Sequence, residues 1–326
     1  MFKRERRRVM NLDEILKPAN VIGISGHVRP DGDCVGSTLG LYQYIRNHYP
    51  EKEVTLYLEE IPDAFHIMPG VDQICHTADD EKKFDLYIAL DCGDLKRLGD
   101  FALHWQHADH TVCIDHHKSN LSFGEENYID PNASSTCELV YQCLDPKYIN
   151  QDIAKCLYLG IVHDTGVFQY SCTSRKTMEI AGNLMEYGFN TSELIDKTYY
   201  EKTYDQNRIL AKAVLSSRLF CQDQVIYSCV TAQDLSEFHV GTKDLDGIVN
   251  QLRITKGVEV AVFLYESGSQ EYKVSMRSKK KVDVADIASG FGGGGHARAA
   301  GVTMQGTKEE ILSKLLPEIS KQLTLE

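Results

Sequence analysis

The chain has 326 residues, of which 42% are hydrophobic and 25% are charged, and its formal net charge is −12 at pH 7. This length favours two domains, and the composition is typical of a globular protein that buries large cores. The negative charge argues against binding to duplex DNA, and no apolar run approaches the roughly 20 residues that span a bilayer, so neither DNA nor a membrane is an expected partner.

The N-terminus and the cysteines indicate the compartment. Residues 1–10, MFKRERRRVM, are basic but precede no apolar segment, so we interpret them as a disordered tail rather than a signal peptide, with Met10 as an alternative start. A basic patch for nucleic acid is the weaker alternative, because the run is short and contains Glu5. The ten cysteines are scattered and form no CxxC pair, which favours a reducing environment over a disulfide framework. We therefore expect a cytoplasmic protein.

Residues 11–190 alternate short apolar runs with amphipathic segments. The apolar runs predict strands at Val21–Ser25, Val54–Leu58, Leu86–Leu90 and Thr111–Ile114. Helical patterns occupy Ser37–Arg46, Thr136–Cys143, Gln151–Val162 and Lys176–Tyr187. Near-continuous apolar strands that alternate with helices are typical of a parallel sheet covered on both faces. The prediction is an α/β domain with a doubly wound, mainly parallel sheet.

Residues 191–217 are polar and helical, and we interpret them as a linker. Residues 218–326 predict a second, smaller α/β domain with a mixed sheet. Its strand patterns are Val225–Thr231, Val258–Leu264 and Tyr272–Met276, and its helical patterns are Leu245–Leu252 and Glu309–Leu323. The low-complexity tract of this domain is Gly292–Gly295.

Aspartate and histidine residues follow the strands of the first domain. GHVRPDGD follows Val21–Ser25, DCGD follows Leu86–Leu90, and DHH follows Thr111–Ile114. A fourth polar segment, HDTG, ends the helical pattern that begins at Gln151. Ligands of an open α/β sheet bind outside the carboxyl ends of its strands, so these segments are expected to converge on one crevice.

Each segment alone has a simpler explanation, because an aspartate after a strand often caps a helix and a single histidine is often a half-buried side chain. The whole set is more specific. So many like charges in one cleft would repel one another, and some of the groups would take up protons. Mixed His/Asp ligation suits Mn²⁺, Fe²⁺, Zn²⁺ or Mg²⁺, and a pair of ions is the usual arrangement for in-line phosphoryl displacement. The sequence therefore predicts a metal site.

Four ordered motifs carry a resemblance to a known family. GHVRPDGDCVGS, ALDCGD, DHH and GIVHDTGVF resemble the motifs of the DHH phosphoesterases. GFGGGGHARAAG at Gly290–Gly301, preceded by VSMRS at Val274–Ser278, resembles the DHH-associated C-terminal domain. The resemblance covers nearly the whole chain in the right order. Within the family it is greatest to the soluble oligoribonuclease/pAp-phosphatase group.

The resemblance implies a metal centre in the first domain. The implied ligands are His27, Asp31, Asp33, Asp91, His116 and Asp164. The first two would hold one ion, Asp91 would bridge, and the other three would hold the second ion. His117 would face the substrate phosphate, and Asp115 would orient a neighbouring histidine. The implied cofactors are two divalent metal ions, with Mn²⁺ first and Mg²⁺ as the alternative. His163 is interpreted as a core histidine or as a partner of the site, and not as a ligand.

The resemblance also implies a nucleotide-binding loop in the second domain, which in the family acts across the interdomain cleft. The implied residues are Arg277, Ser278, Gly293, Gly294, Gly295, His296 and Arg298. A flexible linker is the simpler explanation of the glycine run, but a linker does not end in HARAAG beside apolar residues. We favour a backbone nest that contacts an anion. For Arg298 a solvated position is the alternative, and Lys279–Lys281 are interpreted as a solvated turn.

The expected activity is hydrolysis of short oligoribonucleotides to mononucleotides, with 3′-phosphoadenosine 5′-phosphate (pAp) as a further substrate. The alternative enzyme is a phosphodiesterase for pApA or cyclic dinucleotides. The alternative of another class is an inactive nucleotide-binding regulator, which the presence of every implied ligand disfavours. An inorganic pyrophosphatase would lack the glycine-rich tail, and a DNA exonuclease is disfavoured by the acidic charge. The expected partner is short RNA or a small nucleotide, and a homodimer is left open.

Overall fold

The computed structural model describes residues 9–79 and 81–324. The chain divides between Glu201 and Lys202 into two compact units. The predicted domains 11–190 and 218–326 lie in the first and the second unit respectively, and the predicted linker 191–217 is shared between them. Residues 1–8 of the predicted tail lie outside the described part of the structure.

The first unit is built on a parallel sheet of six strands. These are β1 (Val21–Ser25), β2 (Glu53–Tyr57), β3 (Ile74–Cys75), β4 (Leu86–Leu90), β5 (His110–Asp115) and β6 (Glu126–Ile129). Their spatial order is β3-β2-β1-β4-β5-β6, and each neighbouring pair is parallel. The order reverses between β1 and β4. The carboxyl ends of these two strands are therefore where an open α/β sheet is expected to bind its ligands.

Helices cover both faces of this sheet. They are α1 (Leu12–Leu16), α2 (Gly32–His48), α3 (Ala102–His107), α4 (Thr136–Cys143), α5 (Gln151–Asp164), α6 (Arg175–Met185) and α7 (Thr191–Ile195). Short 3-10 turns lie at Asp63–Phe65, Val71–Gln73, Leu95–Phe101 and Pro146–Tyr148, and a π-helical turn lies at Asp196–Tyr200. On β4, Ile88 joins the large core with Leu41 and Leu157, whereas its neighbour Tyr87 joins a second core with Trp105. Because successive strand residues point to opposite faces, the predicted doubly wound sheet is confirmed.

The second unit is built on a mixed sheet of six strands. The strands are β7 (Arg218–Phe220), β8 (Val225–Val230), β9 (Val260–Gly268), β10 (Glu271–Ser278), β11 (Gly294–His296) and β12 (Ala299–Gln305). Their order is β11-β12-β10-β9-β8-β7, in which β8 and β9 pair in parallel and the other pairs are antiparallel. The helices are α8 (Tyr204–Leu215), α9 (Ala232–Glu237), α10 (Ile248–Arg253), α11 (Val284–Ser289) and α12 (Lys308–Thr324), with a 3-10 turn at Thr242–Leu245. The predicted mixed sheet is confirmed.

The strands that the sequence did not predict are β3, β6, β7, β11 and β12. Most are short or lie toward a sheet edge, and β3 has only two residues. In β12 the buried positions alternate with exposed ones, and three of the first four residues are alanine or glycine, which favour strands weakly. Local patterns of this kind are too weak to predict a strand without its neighbour. Among the described residues, no helix combines the length and the apolar character that crossing a bilayer requires.

Candidate active site

The topology of the first sheet places the predicted metal ligands at the carboxyl ends of its central strands. His27 follows β1, Asp91 follows β4, and His116 follows β5. These strands are adjacent and parallel, in the order β1-β4-β5, so their carboxyl ends meet on the same side. Asp164 is the last residue of α5. Residues that are far apart in the chain are therefore neighbours at the reversal point of the sheet.

The segment between β1 and α2 is fixed by a helix cap. Asp31 is the N-cap of α2, and its Oδ1 accepts hydrogen bonds from the backbone N–H groups of Asp33 and Cys34, each at 3.1 Å. Gly32 lies against the imidazole of His163, and a Cβ at position 32 would be 2.3 Å from His163 Cγ. Glycine is thus required here by close packing, and the cap holds the backbone of Asp33 and Cys34 against the Asp31 carboxylate.

The six predicted ligands fall into two groups joined by Asp91. One group is His27, Asp31 and Asp91, and another is Asp33, His116 and Asp164; within each group the candidate ligand atoms lie within 4.8 Å of one another. Asp91 connects the first group to the second because its ligand atoms also lie within this distance of those of His116 and His117. The structure therefore brings all six residues together with His117.

Asp91 contacts the two sides of the cluster with different oxygens. Its Oδ2 lies 3.4 Å from Nε2 of His27, and its Oδ1 lies 3.6 Å from Nε2 of His116 and 3.6 Å from Nδ1 of His117. On the far side, His116 Nε2 is 3.0 Å from Oδ2 of Asp164. His27 is oriented by its other ring nitrogen, since Nδ1 lies 2.9 Å from the carbonyl oxygen of Val28.

The imidazoles of the cluster are strongly basic. Burial lowers the pKa of His27, but its contacts with Asp31 and Asp91 outweigh burial and raise this pKa to about 10. Burial likewise lowers the pKa of His116, but Asp164 and Asp91 raise it well above its usual value. Metal ligation requires neutral imidazoles, so a bound cation must displace these protons.

The carboxylates respond to the same charges. For Asp91, burial raises the pKa, but the facing imidazoles of His27 and His116 outweigh burial and lower it to about 2. Burial raises the pKa of Asp164 to about 6 despite the opposing contact with His116. Burial and the charges of Asp91 and Asp164 raise the pKa of Asp33 well above its usual value. Protons are therefore shared among these groups when no cation is bound.

The donor set fits divalent cations. Five carboxylates, those of Asp31, Asp33, Asp91, Asp115 and Asp164, face three imidazoles. With all five ionised, full protonation of the three imidazoles would still leave a formal charge of −2. Asp33 and Asp164 have oxygens within 4.8 Å of each other. Two unit charges at this separation repel by about 3 kcal/mol at an effective dielectric constant of 20. Imidazole and carboxylate ligands together suit Mn²⁺, Fe²⁺ and Zn²⁺, and cations of this class remove the repulsion.

Asp115 orients the second histidine of the DHH motif. Its Oδ1 accepts a hydrogen bond from Nδ1 of His117 at 2.7 Å, and its Oδ2 accepts one from Nδ2 of Asn120 at 2.7 Å. Asn120 also donates to the carbonyl oxygen of Cys92, next to Asp91. The histidine that Asp115 contacts is His117 rather than His116. Asn120 belongs to none of the four motifs, although it lies three residues after His117, whose carbonyl oxygen accepts a hydrogen bond from its N–H at 3.2 Å.

Thr136 is a second residue that the motifs did not reveal. It is fully buried at the start of α4, its N–H donates to Asp33 and its hydroxyl donates to Asp91. The run SSTCE contains an N-cap serine followed by a glutamate three residues later, which marks a helix start but gives no indication of what that start contacts.

Left-handed backbone conformations occur in several of the ligand segments. Asp91 has φ of 56°, Arg29 has 55°, and the run after α5 continues with Val167 at 56° and Phe168 at 65°. This region is disfavoured for residues other than glycine, and most strongly for a β-branched residue such as valine. Strained backbone of this kind concentrates at functional sites, where the surrounding contacts hold it.

The predicted substrate-binding residues lie together in the second unit. Arg277 and Ser278 end β10, and Arg277 pairs with Ala299 at the start of β12. Ser278 is buried, and its hydroxyl donates to the carbonyl oxygen of Val282 at 2.6 Å. Arg298 Nη1 donates to the same carbonyl oxygen at 2.7 Å. The side chain of His296 lies outside the described part of the structure.

The glycine run has a structural reason at some positions. A Cβ on Gly293 would lie 2.3 Å from the carbonyl oxygen of Gly301, and one on Gly295 would lie 2.4 Å from that of Ala299. These glycines are therefore required by the close approach of residues 293–295 to β12. Gly294 has open space around it, so its position leaves room for a ligand to approach the backbone.

Two family models match this chain. The DHH family, N-terminal domain, matches residues 21–161, and the DHHA1 domain matches residues 222–324. The chain therefore contains a DHH family domain followed by a DHHA1 domain. The DHH match includes every predicted ligand except Asp164, which follows it by three residues. The resemblance predicted from the motifs is thereby confirmed.

Curated relatives and a solved structure share both parts of this DHH protein. It is 28% identical over 315 residues to the Bifunctional oligoribonuclease and PAP phosphatase NrnA of Thermus thermophilus, covering 95% of this chain and 93% of the relative. It is 29% identical over 286 residues to the protein of the same name from Bacillus subtilis, covering 85% and 87%. The crystal structure of an exopolyphosphatase-related protein from Bacteroides fragilis is similar with a TM-score of 0.88 and 27% identity, covering 95% of this chain and 96% of that chain.

Proposed function

We propose that this protein is a two-metal phosphoesterase that hydrolyses short oligoribonucleotides to mononucleotides and also removes a phosphate from pAp. The observation that carries the proposal is the pair of His/Asp groups joined by Asp91 at the reversal point of a parallel sheet. The substrate class comes from the similarity to the curated oligoribonuclease and PAP phosphatase proteins, which extends over most of the chain.

The proposed ligands are His27, Asp31 and Asp91 for one ion, and Asp33, Asp91, His116 and Asp164 for the other. We assign Mn²⁺ as the metal, with Mg²⁺ as the alternative, because the set mixes imidazoles with carboxylates. When bound, the ions polarise a phosphoryl group and lower the pKa of a water molecule.

The chain's own residues provide the remaining functions. Asp115 keeps the proton of His117 on Nδ1 through the 2.7 Å hydrogen bond, so the ring has a fixed orientation. We assign Nε2 of His117 to an oxygen of the substrate phosphate. The residues proposed to bind the nucleotide are Arg277, Ser278, Gly293, Gly294, Gly295, His296 and Arg298.

A substrate panel tests this proposal. Purified protein is assayed with Mn²⁺, with Mg²⁺ and with EDTA against RNA 2-mers to 5-mers, DNA oligomers of the same lengths, pAp, pApA, cyclic di-AMP and pyrophosphate. We expect metal-dependent release of mononucleotides from RNA and of phosphate from pAp. Faster turnover of cyclic di-AMP or pyrophosphate than of any RNA would contradict the proposed substrate class, and full activity in EDTA would contradict the metal centre.

A further inference from the structure

The N-terminus of α4 binds a carboxylate of the cluster with backbone donors. The N–H of Thr136 donates to Oδ2 of Asp33 at 2.6 Å, and the N–H of Cys137 donates to Oδ1 at 2.9 Å. The first N–H groups of a helix have no partner within the helix, and the helix dipole favours a negative charge at this end. Asp33 is fully buried, so these donors replace the water that it has lost.

The side chain of Thr136 reaches a second carboxylate. Its hydroxyl donates to Oδ1 of Asp91 at 3.0 Å, and Asp91 is 2% exposed. This oxygen is the one that faces His116, whereas Oδ2 faces His27. A hydrogen bond to one oxygen alone fixes the rotation of the carboxylate. It thereby determines which oxygen faces which group.

The start of α4 is held by contacts that do not involve the cluster. Ser135 caps the helix, since its Oγ accepts from the N–H of Glu138 at 3.1 Å. The buried Glu138 in turn accepts from the hydroxyls of Ser134 at 2.6 Å and Thr177 at 2.7 Å. Thr136 is therefore positioned by the protein itself and provides a fixed reference for both carboxylates.

We propose that Thr136 is a positioning residue of the metal centre, whose N–H holds Asp33 and whose hydroxyl holds Asp91. Each oxygen of the Asp91 carboxylate then faces a different group of ligands. This inference rests on the proposed two-metal function. The hydroxyl is the testable part, because the N–H is present whatever the side chain. Partners of this kind around a metal site typically change metal affinity or activity by 10- to 100-fold when they are removed.

The test compares Thr136→Val, which keeps the shape but lacks the hydroxyl, with Thr136→Ser, which keeps the hydroxyl. In titration calorimetry of the full chain with Mn²⁺, we expect Thr136→Val to bind at least one ion about 10- to 100-fold more weakly. The EPR spectrum should change from that of a coupled Mn²⁺ pair to that of isolated ions. Thr136→Ser should resemble the wild type in both measurements, and kcat should fall with Thr136→Val more than KM rises.

Thr38→Val is the matched control. Thr38 is also fully buried, and its hydroxyl donates to the carbonyl oxygen of Cys34 within α2 at 2.7 Å. This variant should leave the Mn²⁺ affinity unchanged.

A wild-type Mn²⁺ affinity and EPR spectrum in Thr136→Val would overturn the inference and leave the proposed function intact. If Thr136→Val does not fold, the Mn²⁺ affinity of a folded Thr136→Ser decides. A weaker affinity than that of the wild type would overturn the inference, and the wild-type affinity would support the inference. Failure of the wild type to bind Mn²⁺ would contradict the proposed function and the inference with it.

Discussion

Each oxygen of the Asp91 carboxylate faces an imidazole on a different side of the cluster, at 3.4 Å from His27 and 3.6 Å from His116. The side chain is 2% exposed, and the backbone has φ of 56°. Asparagine tolerates this left-handed conformation better than most residues. A change from aspartate to asparagine therefore removes the charge with little effect on the backbone.

Asp91→Asn is expected to abolish Mn²⁺-dependent hydrolysis almost completely while the protein stays folded. The loss of the charge that both groups share should lower kcat/KM for an RNA dimer by more than about a hundredfold, since metal ions contribute several kcal/mol to the stabilisation of transition-state charge. The measurements are steady-state kinetics, metal content and a thermal unfolding curve.

Asp94→Asn is the control, because it lies in the same DCGD segment. Asp94 is exposed and caps the following turn by accepting from the N–H groups of Lys96 and Arg97. Asparagine caps equally well, so activity should remain. A substantial fraction of wild-type turnover in Asp91→Asn would show that Asp91 does not join the two metal groups.

At the scale of elements, α5 approaches α2 and α4 closely beneath the cluster. A Cβ on Gly160 of α5 would lie 2.3 Å from Sγ of Cys137 and 2.5 Å from Oδ1 of Asp33. The nearby Cα of Asp33, at 2.9 Å, belongs to the backbone and cannot rotate away. The absence of a side chain at position 160 thus allows the helices to bring their ligands together.

Gly160→Ala is expected to destabilise the protein by about 1–3 kcal/mol, which is typical of overpacking in a core. It should also weaken Mn²⁺ binding, because the new methyl group displaces Asp33. Gly182→Ala on α6 is the matched control, since Gly182 is exposed and a Cβ there meets nothing within 4 Å. That control should stabilise the helix by roughly 0.5–1 kcal/mol. Urea unfolding and Mn²⁺ titration measure both effects, and equal stability of the two variants would contradict the packing argument.

In the second unit, α8 is linked to α9 by an ion pair. Asp234 of α9 accepts from Nζ of Lys212 and, through Oδ2, from the N–H and hydroxyl of Thr231, both at 2.9 Å. Burial raises the pKa of Asp234, but these donors outweigh burial and lower it below its usual value. The carboxylate therefore stabilises the fold above the pKa of unfolded aspartate, about 3.9. This contribution is lost as the pH falls through the lower pKa of the folded protein.

Asp234→Asn is expected to destabilise the second unit by about 1 kcal/mol at pH 7, because the ion pair and the charged cap are lost together. The difference from the wild type should shrink as the pH falls below about 4, because Asp234 of the unfolded wild-type chain takes up a proton there and the folded carboxylate does so at lower pH. Urea midpoints between pH 7 and pH 3 measure the difference. Glu237→Gln, at an exposed position of the same helix, is the control. A difference that grows on acidification would contradict the sign of this prediction.

At the scale of the whole molecule, the proposed functions are divided between the units. The candidate metal ligands lie in the unit that ends at Glu201, and the candidate nucleotide-binding residues lie in the unit that begins at Lys202. Mutations in the first unit should therefore affect metal binding and hydrolysis, and mutations in the second unit should affect nucleotide binding. The cytoplasmic location and the absence of duplex DNA among the partners stay predictions.

Arg277→Ala tests this division. A hydrogen bond to a charged group contributes roughly 1.5–3 kcal/mol, so kcat/KM for an RNA dimer should fall about ten- to a hundredfold. The variant should cleave a minimal activated phosphodiester with the same kcat/KM as the wild type, and its Mn²⁺ affinity should not change. Lys273→Ala is the matched control, because Lys273 lies on the same strand, four residues before Arg277 and on the same face. Equal losses on both substrates would assign Arg277 to catalysis or to the fold instead of recognition.

The sequence by itself determined the central strands, the helices between them and the chemical character of the site. β1 and β4 have the predicted bounds, because a buried strand needs a continuous apolar run that is visible locally. The aspartates and histidines at the strand ends were equally visible, since the motifs are short and lie next to those strands. The rule that parallel strands share one ligand-binding edge then sufficed to group them.

Only the tertiary structure decided which atoms meet. Thr136 contacts Asp33 across 103 positions of sequence and Asp91 across 45, and nothing in the run SSTCE indicates these partners. The same holds for Gly160, whose missing side chain matters because of the backbone of Asp33. Local propensity reports which residues form a helix or a strand. The distance between two side chains on different elements depends on how those elements pack, and packing is a property of the complete fold.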